Sequence, residues 1–312
     1  MFAGEEVLKK LLALFLSLIL FAFTVAGCSS SSTNAAPTWQ SEKDPASLQS
    51  TLHSVWGASS TDVFAVGDGG TIIHYNGKSW SKMKSGTTND LDGIWGTSAD
   101  DIFAVGAQGT ILYYDGNSWR MVADNNTNDL VGVWGDSSTD VLAVGHQGTI
   151  LHYDGAAWSD VTLGYTDNVI EAIWGTYLAD IFVVGDNGLI LHYDGNSRVS
   201  MASGTTSPLL SIWGSSPSNV FAAGSGGVFH YDGDTWSNVS VGSIESLDCL
   251  WGSSSSDLFA VGSSGTILHY DGNSWSSMPI GMTTDIFSVW GSSPSDVFAV
   301  GTDGIILHYS NK

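Results

Sequence analysis

The sequence predicts an all-β protein, a seven-bladed β-propeller built from four-stranded antiparallel blades. Three observations predict it. A Trp-Gly pair recurs at Trp56, Trp95, Trp134, Trp174, Trp213, Trp251 and Trp290, at intervals of 39, 39, 40, 39, 38 and 39 residues. Each interval contains four apolar runs of strand length separated by turn residues. The last copy stops short, and the piece it lacks stands at the other end of the chain. A lone meander of this size cannot bury both faces, but identical meanders stacked around an axis can.

Residues 1–27 stand apart from the repeats. Lys9 and Lys10 precede an apolar run from Leu11 to Ala26, the pattern of a secretory signal peptide. The run ends Val25-Ala26-Gly27-Cys28, which resembles the lipobox of bacterial lipoproteins. That resemblance implies cleavage before Cys28 and lipidation of Cys28, with enough fatty chains for stable anchoring. The competing expectation is an uncleaved anchor helix, because the run is almost long enough to span a bilayer. Ser29 after the cysteine implies, by the same resemblance, sorting to the outer membrane of the cell envelope. Residues 28–37 are then a Ser-rich linker, and 38–312 the propeller.

The second copy shows how one blade is written. Its runs are Leu91 to Trp95, Ile102 to Gly106, Thr110 to Tyr114 and Trp119 to Val122. Gly-x-x-Gly separates the second and third runs in every copy, and its glycines are expected to supply the positive φ of a tight hairpin. Asp-Gly separates the third and fourth in five copies, and Asn76-Gly77 does so in the first. A closing tryptophan follows at Trp80, Trp119, Trp158, Trp236 and Trp275, with Arg198 in its place in the fourth copy. The seventh copy ends at Tyr309-Ser310-Asn311-Lys312, before its closing strand. Trp39 precedes Leu52 by 13 residues, against 11 or 12 for the other closing tryptophans. A strand at residue 39 should therefore complete the last blade and close the ring.

Composition excludes whole classes of function. The net charge is −22, with only two arginines, Arg120 and Arg198, which argues against nucleic acid and against electrostatic docking on anionic lipid. With Cys28 acylated, Cys249 has no partner for a disulfide. Other copies hold Ser, Gly or Ala at its position, so a buried, inert thiol is expected. No cofactor and no metal are expected, and a closed ring is expected to be a monomer.

Periodic residues point to structure. Six of the eight histidines share one repeat position: His74, His152, His192, His230, His269 and His308. Copies separated by a blade spacing cannot converge on a metal, so recurrent hydrogen bonds on the third strand are expected. The aspartates at 62, 101, 140, 180, 257 and 296, with Asn219 in the fifth copy, are expected to bond the backbone of a tight turn.

Function should lie where the copies differ. The loops leading into the first strands and the residues inside Gly-x-x-Gly share one face of such a ring. His53, Asp68, Asp92, Glu171, Asp186, Asp248 and Asp303 are the ligand-face candidates, with Asp90, Asp124 and Asp129 beside them. The residue after the first-strand leucine varies without rule (His53, Asp92, Val131, Glu171, Leu210, Asp248, Phe287) and is placed at the channel mouth. Such a face is acidic and would attract a cation or a basic partner. The loop from Asp124 to Asp129 has alternate oxygen donors but lacks the glycine and distal glutamate of a calcium loop.

The repeat resembles the Asp-box or BNR-type propeller repeats through Gly-x-x-Gly, Thr-Ile-Leu and Asp-Gly-x-x-Trp, as in Gly265 to Trp275. The Asp-box has one more residue between Asp and Gly. The resemblance implies fold rather than activity. Its broad group includes sialidases, whose three-arginine cluster this chain cannot supply, and lumenal photosystem assembly factors, whose basic patch is absent here. A membrane-tethered, non-enzymatic scaffold for a protein or glycan is the leading expectation. The alternative is a glycan hydrolase or lyase using Asp92, Glu171 and Asp248.

Overall fold

A computed structural model describes residues 37–42, 48–122, 126–162, 168–239, 241–242 and 246–311. The expected signal sequence, Cys28, most of the expected linker and Asp124 lie outside the described residues. Among those described, no helix is long and apolar enough to cross a membrane.

Seven four-stranded antiparallel sheets form the ring. The second blade comprises Leu91–Ser98, Asp101–Gly106, Thr110–Tyr114 and Trp119–Met121. Its first strand runs three residues beyond the predicted Trp95 and bulges twice, between Leu91 and Gly93 and between Gly96 and Ser98. The other six blades repeat both bulges at the equivalent positions. The seventh sheet joins the chain ends: Thr38–Ser41 lies antiparallel on Ile306–Ser310, with Trp39 opposite Tyr309 and Gln40 opposite His308. The Glu42 N–H adds a bond of 2.9 Å to the Ile306 carbonyl. The ring is closed as the sequence predicted, and no blade is left with an incomplete edge.

The packing explains the Trp-Gly pair. Each Trp lies over the glycine of the next blade. A Cβ built on Gly96 would come within 3.0 Å of the Trp56 ring, and on Gly135 within 2.7 Å of Trp95. The chain of contacts closes where Trp290 covers Gly57, at 2.6 Å. A larger residue after the tryptophan would push two blades apart.

The outer seams are aromatic. A second-strand Phe of one blade meets the third-strand Tyr and closing Trp of the next. Phe298 lies 5.5 Å from Tyr75 and edge-on to Trp80 at 6.0 Å, and Phe259 meets Tyr309 and Trp39 in the same way. Phe64, Phe103, Phe182, Phe259 and Phe298 are fully buried. Burying one such ring contributes about 3 kcal/mol at most. The indole N–H groups of the six closing tryptophans, Trp39 included, are buried without a hydrogen-bond partner among the described residues. Each costs up to about 3 kcal/mol, so ring contacts and area must outweigh that.

The repeated histidines do make structural hydrogen bonds, but their partner differs from expectation. The periodic aspartate accepts from histidine rather than from turn backbone. Nε2 of His74 lies 2.6 Å from Asp62 Oδ1, His192 2.7 Å from Asp180, and His269 2.6 Å from Asp257. His230 uses Asn219 in the same way, at 2.6 Å. Each pair ties the second strand to the third, and outside the third blade, where Leu142 stands, the imidazole also packs on the blade's own Phe, as His308 does on Phe298 at 3.9 Å. A twelve-residue separation in sequence hid this pairing, which the register of the hairpin creates.

In the seventh blade burial alone would raise the Asp296 carboxyl, but hydrogen bonds from His308 and Ser292 more than offset it and hold it below the ordinary aspartate value. A depressed carboxyl stabilises the fold above its unfolded value and loses that contribution as pH falls through the folded one. Asp296→Asn is therefore expected to lower the melting temperature at neutral pH and to flatten the acid limb of the stability profile. A variant with an unchanged acid limb would contradict this.

Gly-x-x-Gly also works differently from expectation at its first position. Gly67 and Gly106 have extended φ of −177°. They are glycine because an added Cβ would lie 1.9–2.0 Å from the Thr51 or Asp90 carbonyl oxygen at the first-strand bulge. The positive φ falls on the third and fourth residues, as at Gln108 (58°) and Gly109 (67°). The Asp-Gly turns behave as expected. Asp115 Oδ1 accepts from the Asn117 and Ser118 N–H groups, and Gly116 takes φ of 85°.

Candidate functional site

Each first strand opens with a bulge, and the first strands of neighbouring blades lie against one another around the ring. Leu52 pairs with Gly67, the bulge follows, and Ser54 resumes the register. The intervening residue is excluded from the ladder. All seven residues at this position are half-buried, whereas the preceding Leu or Ile is fully buried. Packing does not dictate their type, which is why the sequence varies there.

The structure brings part of the predicted set together. His53 Nε2 lies 2.7 Å from Asp68 Oδ1, and the Thr51 N–H donates to the other carboxylate oxygen at 3.2 Å. His53 also packs on Phe287 across the closing seam, with centroids 5.9 Å apart. For Asp68, burial raises the carboxyl, but the His53 and Thr51 hydrogen bonds outweigh it and the net shift is downward. Asp92 is pushed up, first by burial and then by the Asp90, Asp129 and Asp68 carboxylates, against relief from His53. Glu171 is pushed up by burial, then by Asp186 and Asp92, with His146 acting the other way. Asp248 is raised by burial and by Asp285, although it accepts a bond from Ser246 Oγ at 3.1 Å. Glu171 thus feels the Asp92 carboxylate, whereas the carboxylate acting on Asp248 is Asp285.

Other candidates have different tasks. Asp90 and Asp129 are clamps: their Oδ1 atoms accept from the N–H of Gly69 and Gln108, the left-handed residues of the preceding blades' loops, at 2.7 and 2.8 Å. Asp285 holds Ser264 in the same way. Asp303 occupies that left-handed position itself, with φ of 56°, and is exposed on the same face. Asp186 sits one residue earlier in its loop and acts on Glu171 through its field. Sequence reasoning missed His146, whose Nδ1 lies 3.7 Å from Asp129. The available signal was that His146 and His53 are the two histidines outside the repeated position.

Among the described residues no group of three His, Cys, Asp or Glu side chains could hold a metal. In the loop ending at Asp129, Asn126 Oδ1 accepts from the Asn128 N–H, and Asp129 Oδ1 accepts from the Gln108 N–H. Cys249 is half-buried as a residue, but its thiol points inward, with Sγ 4.0 Å from Ser288 Oγ of the next blade. Burial pushes its thiol above the ordinary value.

No family model matches this chain, and no curated protein does. Solved structures share its fold. A structure described as YCF48 bound to D1 peptide superposes with a TM-score of 0.73 at 14% identity, covering 88% of this chain and 97% of that one. YCF48 from Cyanidioschyzon merolae gives 0.70 at 13% identity, covering 88% and 98%. The WD40 propeller domain of Doa1 gives 0.74 at 11%, covering 88% and 97%. These likenesses show the seven-bladed propeller fold.

Proposed function

We propose that this protein is a non-enzymatic scaffold whose acidic channel mouth holds a basic segment of a protein partner. It is tethered through lipid on Cys28 outside the cytoplasmic membrane, on the outer membrane of the cell envelope. The observation that carries the reading is the trio Asp92, Glu171 and Asp248: half-buried carboxyls, each pushed upward, on inner-strand positions that packing leaves free. Charges held against their own solvation are poised to gain from a cation. One structure of the same fold is described as having a peptide bound, which supports a protein partner over a glycan.

The test uses the soluble domain and an oligolysine peptide. Binding is expected to weaken at least about tenfold in the Asp92→Asn, Glu171→Gln, Asp248→Asn triple variant, because charge-assisted contacts are lost. Binding should also weaken with added salt and as pH falls, since raised carboxyls protonate first. The same variant should melt higher than the wild type at neutral pH, because repulsion and desolvation are relieved. Unchanged peptide binding would overturn the proposal. For the tether, Cys28→Ser is expected to release the protein from the membrane fraction.

The raised carboxyls also favour a second reading, a glycan hydrolase or lyase. Turnover of glycan substrates, abolished by Glu171→Gln or Asp92→Asn alone, would select it.

A further inference from the structure

The seam between the third and fourth blades departs from the other six. Elsewhere a second-strand Phe, a third-strand Tyr and a closing Trp fill the outer joint, as Phe103, Tyr153 and Trp158 do. Here Leu142 replaces the Phe and Arg198 replaces the Trp. The turn of the fourth blade adds Leu178, where the other copies carry Ser60, Ala99, Ser138, Pro217, Ser255 and Pro294. All three departures line one cavity of about 340 Å³. The joint is opened to solvent by them. Ile181 is 8% exposed, whereas Val63, Ile102, Val141, Val220, Leu258 and Val297 at its position are fully buried.

The lining is apolar except at the rim. His152 and His192 line the cavity with Nε2 already engaged by Asp140 at 2.5 Å and Asp180 at 2.7 Å. Arg198 is the one lysine or arginine of the lining. Its guanidinium rests over the Tyr193 ring at 5.3 Å and makes no ion pair among the described residues. In a chain of net charge −22 with two arginines, an arginine without a carboxylate partner is conspicuous. The Tyr face it covers is the one on which other blades lay an indole, at 5.1 Å for Tyr114 and Trp119.

We propose that this seam binds a small aromatic carboxylate. The planar ring takes the slot that tryptophan fills in the other six joints, against Tyr193 and between Leu142 and Leu178. The carboxylate pairs with Arg198, which swings outward from the Tyr193 face. The protein's own repeats define the shape: six joints show that a flat bicyclic ring fits there, and the seventh exchanges that ring for a cation at the rim. The site lies on the outer wall, away from the channel mouth, so its fate is independent of the scaffold reading. The volume is that of a small-ligand pocket, with an apolar body and one orienting charge.

Calorimetric titration with indoleacetate tests this, with methylindole as the uncharged twin and decanoate as an aliphatic anion. Wild type is expected to bind indoleacetate with a dissociation constant below millimolar. Arg198→Gln should weaken indoleacetate at least about tenfold and leave methylindole unchanged. Arg198 is exposed, so this variant should melt as the wild type does. The double variant Leu142→Phe, Arg198→Trp should bind neither ligand and melt higher, because it rebuilds the joint in place. The single Arg198→Trp should also melt higher, by less, since its indole lacks the facing Phe. No heat from wild type at millimolar indoleacetate, retained binding by the double variant, a lower melting temperature for it, or decanoate binding as tightly as indoleacetate would each overturn the proposal.

Discussion

A chain lacking residues 1–47 is expected to melt well below the intact propeller domain and to regain much of the loss when a peptide spanning residues 37–48 is added. The strand Thr38–Ser41 is only four residues long, yet three kinds of contact depend on it. Trp39 sits edge-on to Phe259 at 6.1 Å and tilts on Tyr309 at 5.3 Å. Glu42 Oε1 lies 3.3 Å from His308 Nδ1, while Nε2 of the same ring bonds Asp296 at 2.6 Å. Without the strand, the backbone of Ile306–Ser310 becomes an unpaired edge in a blade that also forms the ring's closure. Trp39→Ala alone should cost about 3 kcal/mol, at the low end for a large aromatic because Trp39 is only half-buried. For a domain of this size that is a fall of about 5 °C. Truncation should cost more and should leave the protein prone to self-association through the bare edge. A truncated chain that melts where the intact one does, with no response to the peptide, would show that the ring does not depend on this strand.

The second large effect is expected at a glycine whose φ any residue could adopt. Gly106→Ala should destabilise by about 3 kcal/mol, because the new methyl would sit 2.0 Å from the Asp90 carbonyl oxygen and 2.8 Å from Leu91 Cα. Backbone at a bulge cannot yield without shifting Asp92, so the channel mouth should be disturbed together with stability. Gly69 provides the contrast. Its φ is 62°, the left-handed region, but nothing lies within 4 Å of an added Cβ. Asn187 occupies the same position in the fourth blade at φ 59°. Gly69→Asn should therefore cost well under about 1 kcal/mol. Thermal melts of the two variants decide the point. A milder effect at Gly106 than at Gly69 would mean that dihedral strain, not close approach, dictates these glycines.

Much of this molecule was legible in the residues. Repetition gave seven units, and turn residues cut each unit into four strands. The shortfall after Tyr309 and the spare Trp39 located the closure. The two loop sets meet, as His53 and Asp68 do, because loops on alternate hairpins must share an end of the blade. The reading weakened where a residue's partner lies on another strand. Asp62 and its equivalents looked like turn residues but accept from histidines on the next strand. Asp90 and Asp129 looked like free ligands but hold the loops of neighbouring blades. His146 carried no periodic signal at all.

The sequence by itself determined the blade count, the strand order and the closure, since these follow from period, turn chemistry and one displaced tryptophan, all local in the chain. Tertiary structure alone decided which glycines avoid a carbonyl, which carboxylates act on one another between blades, and that Leu142, Leu178 and Arg198 meet in one joint. Those facts depend on distances between blades about 40 residues apart in sequence, and a pattern of spacings contains no such distances.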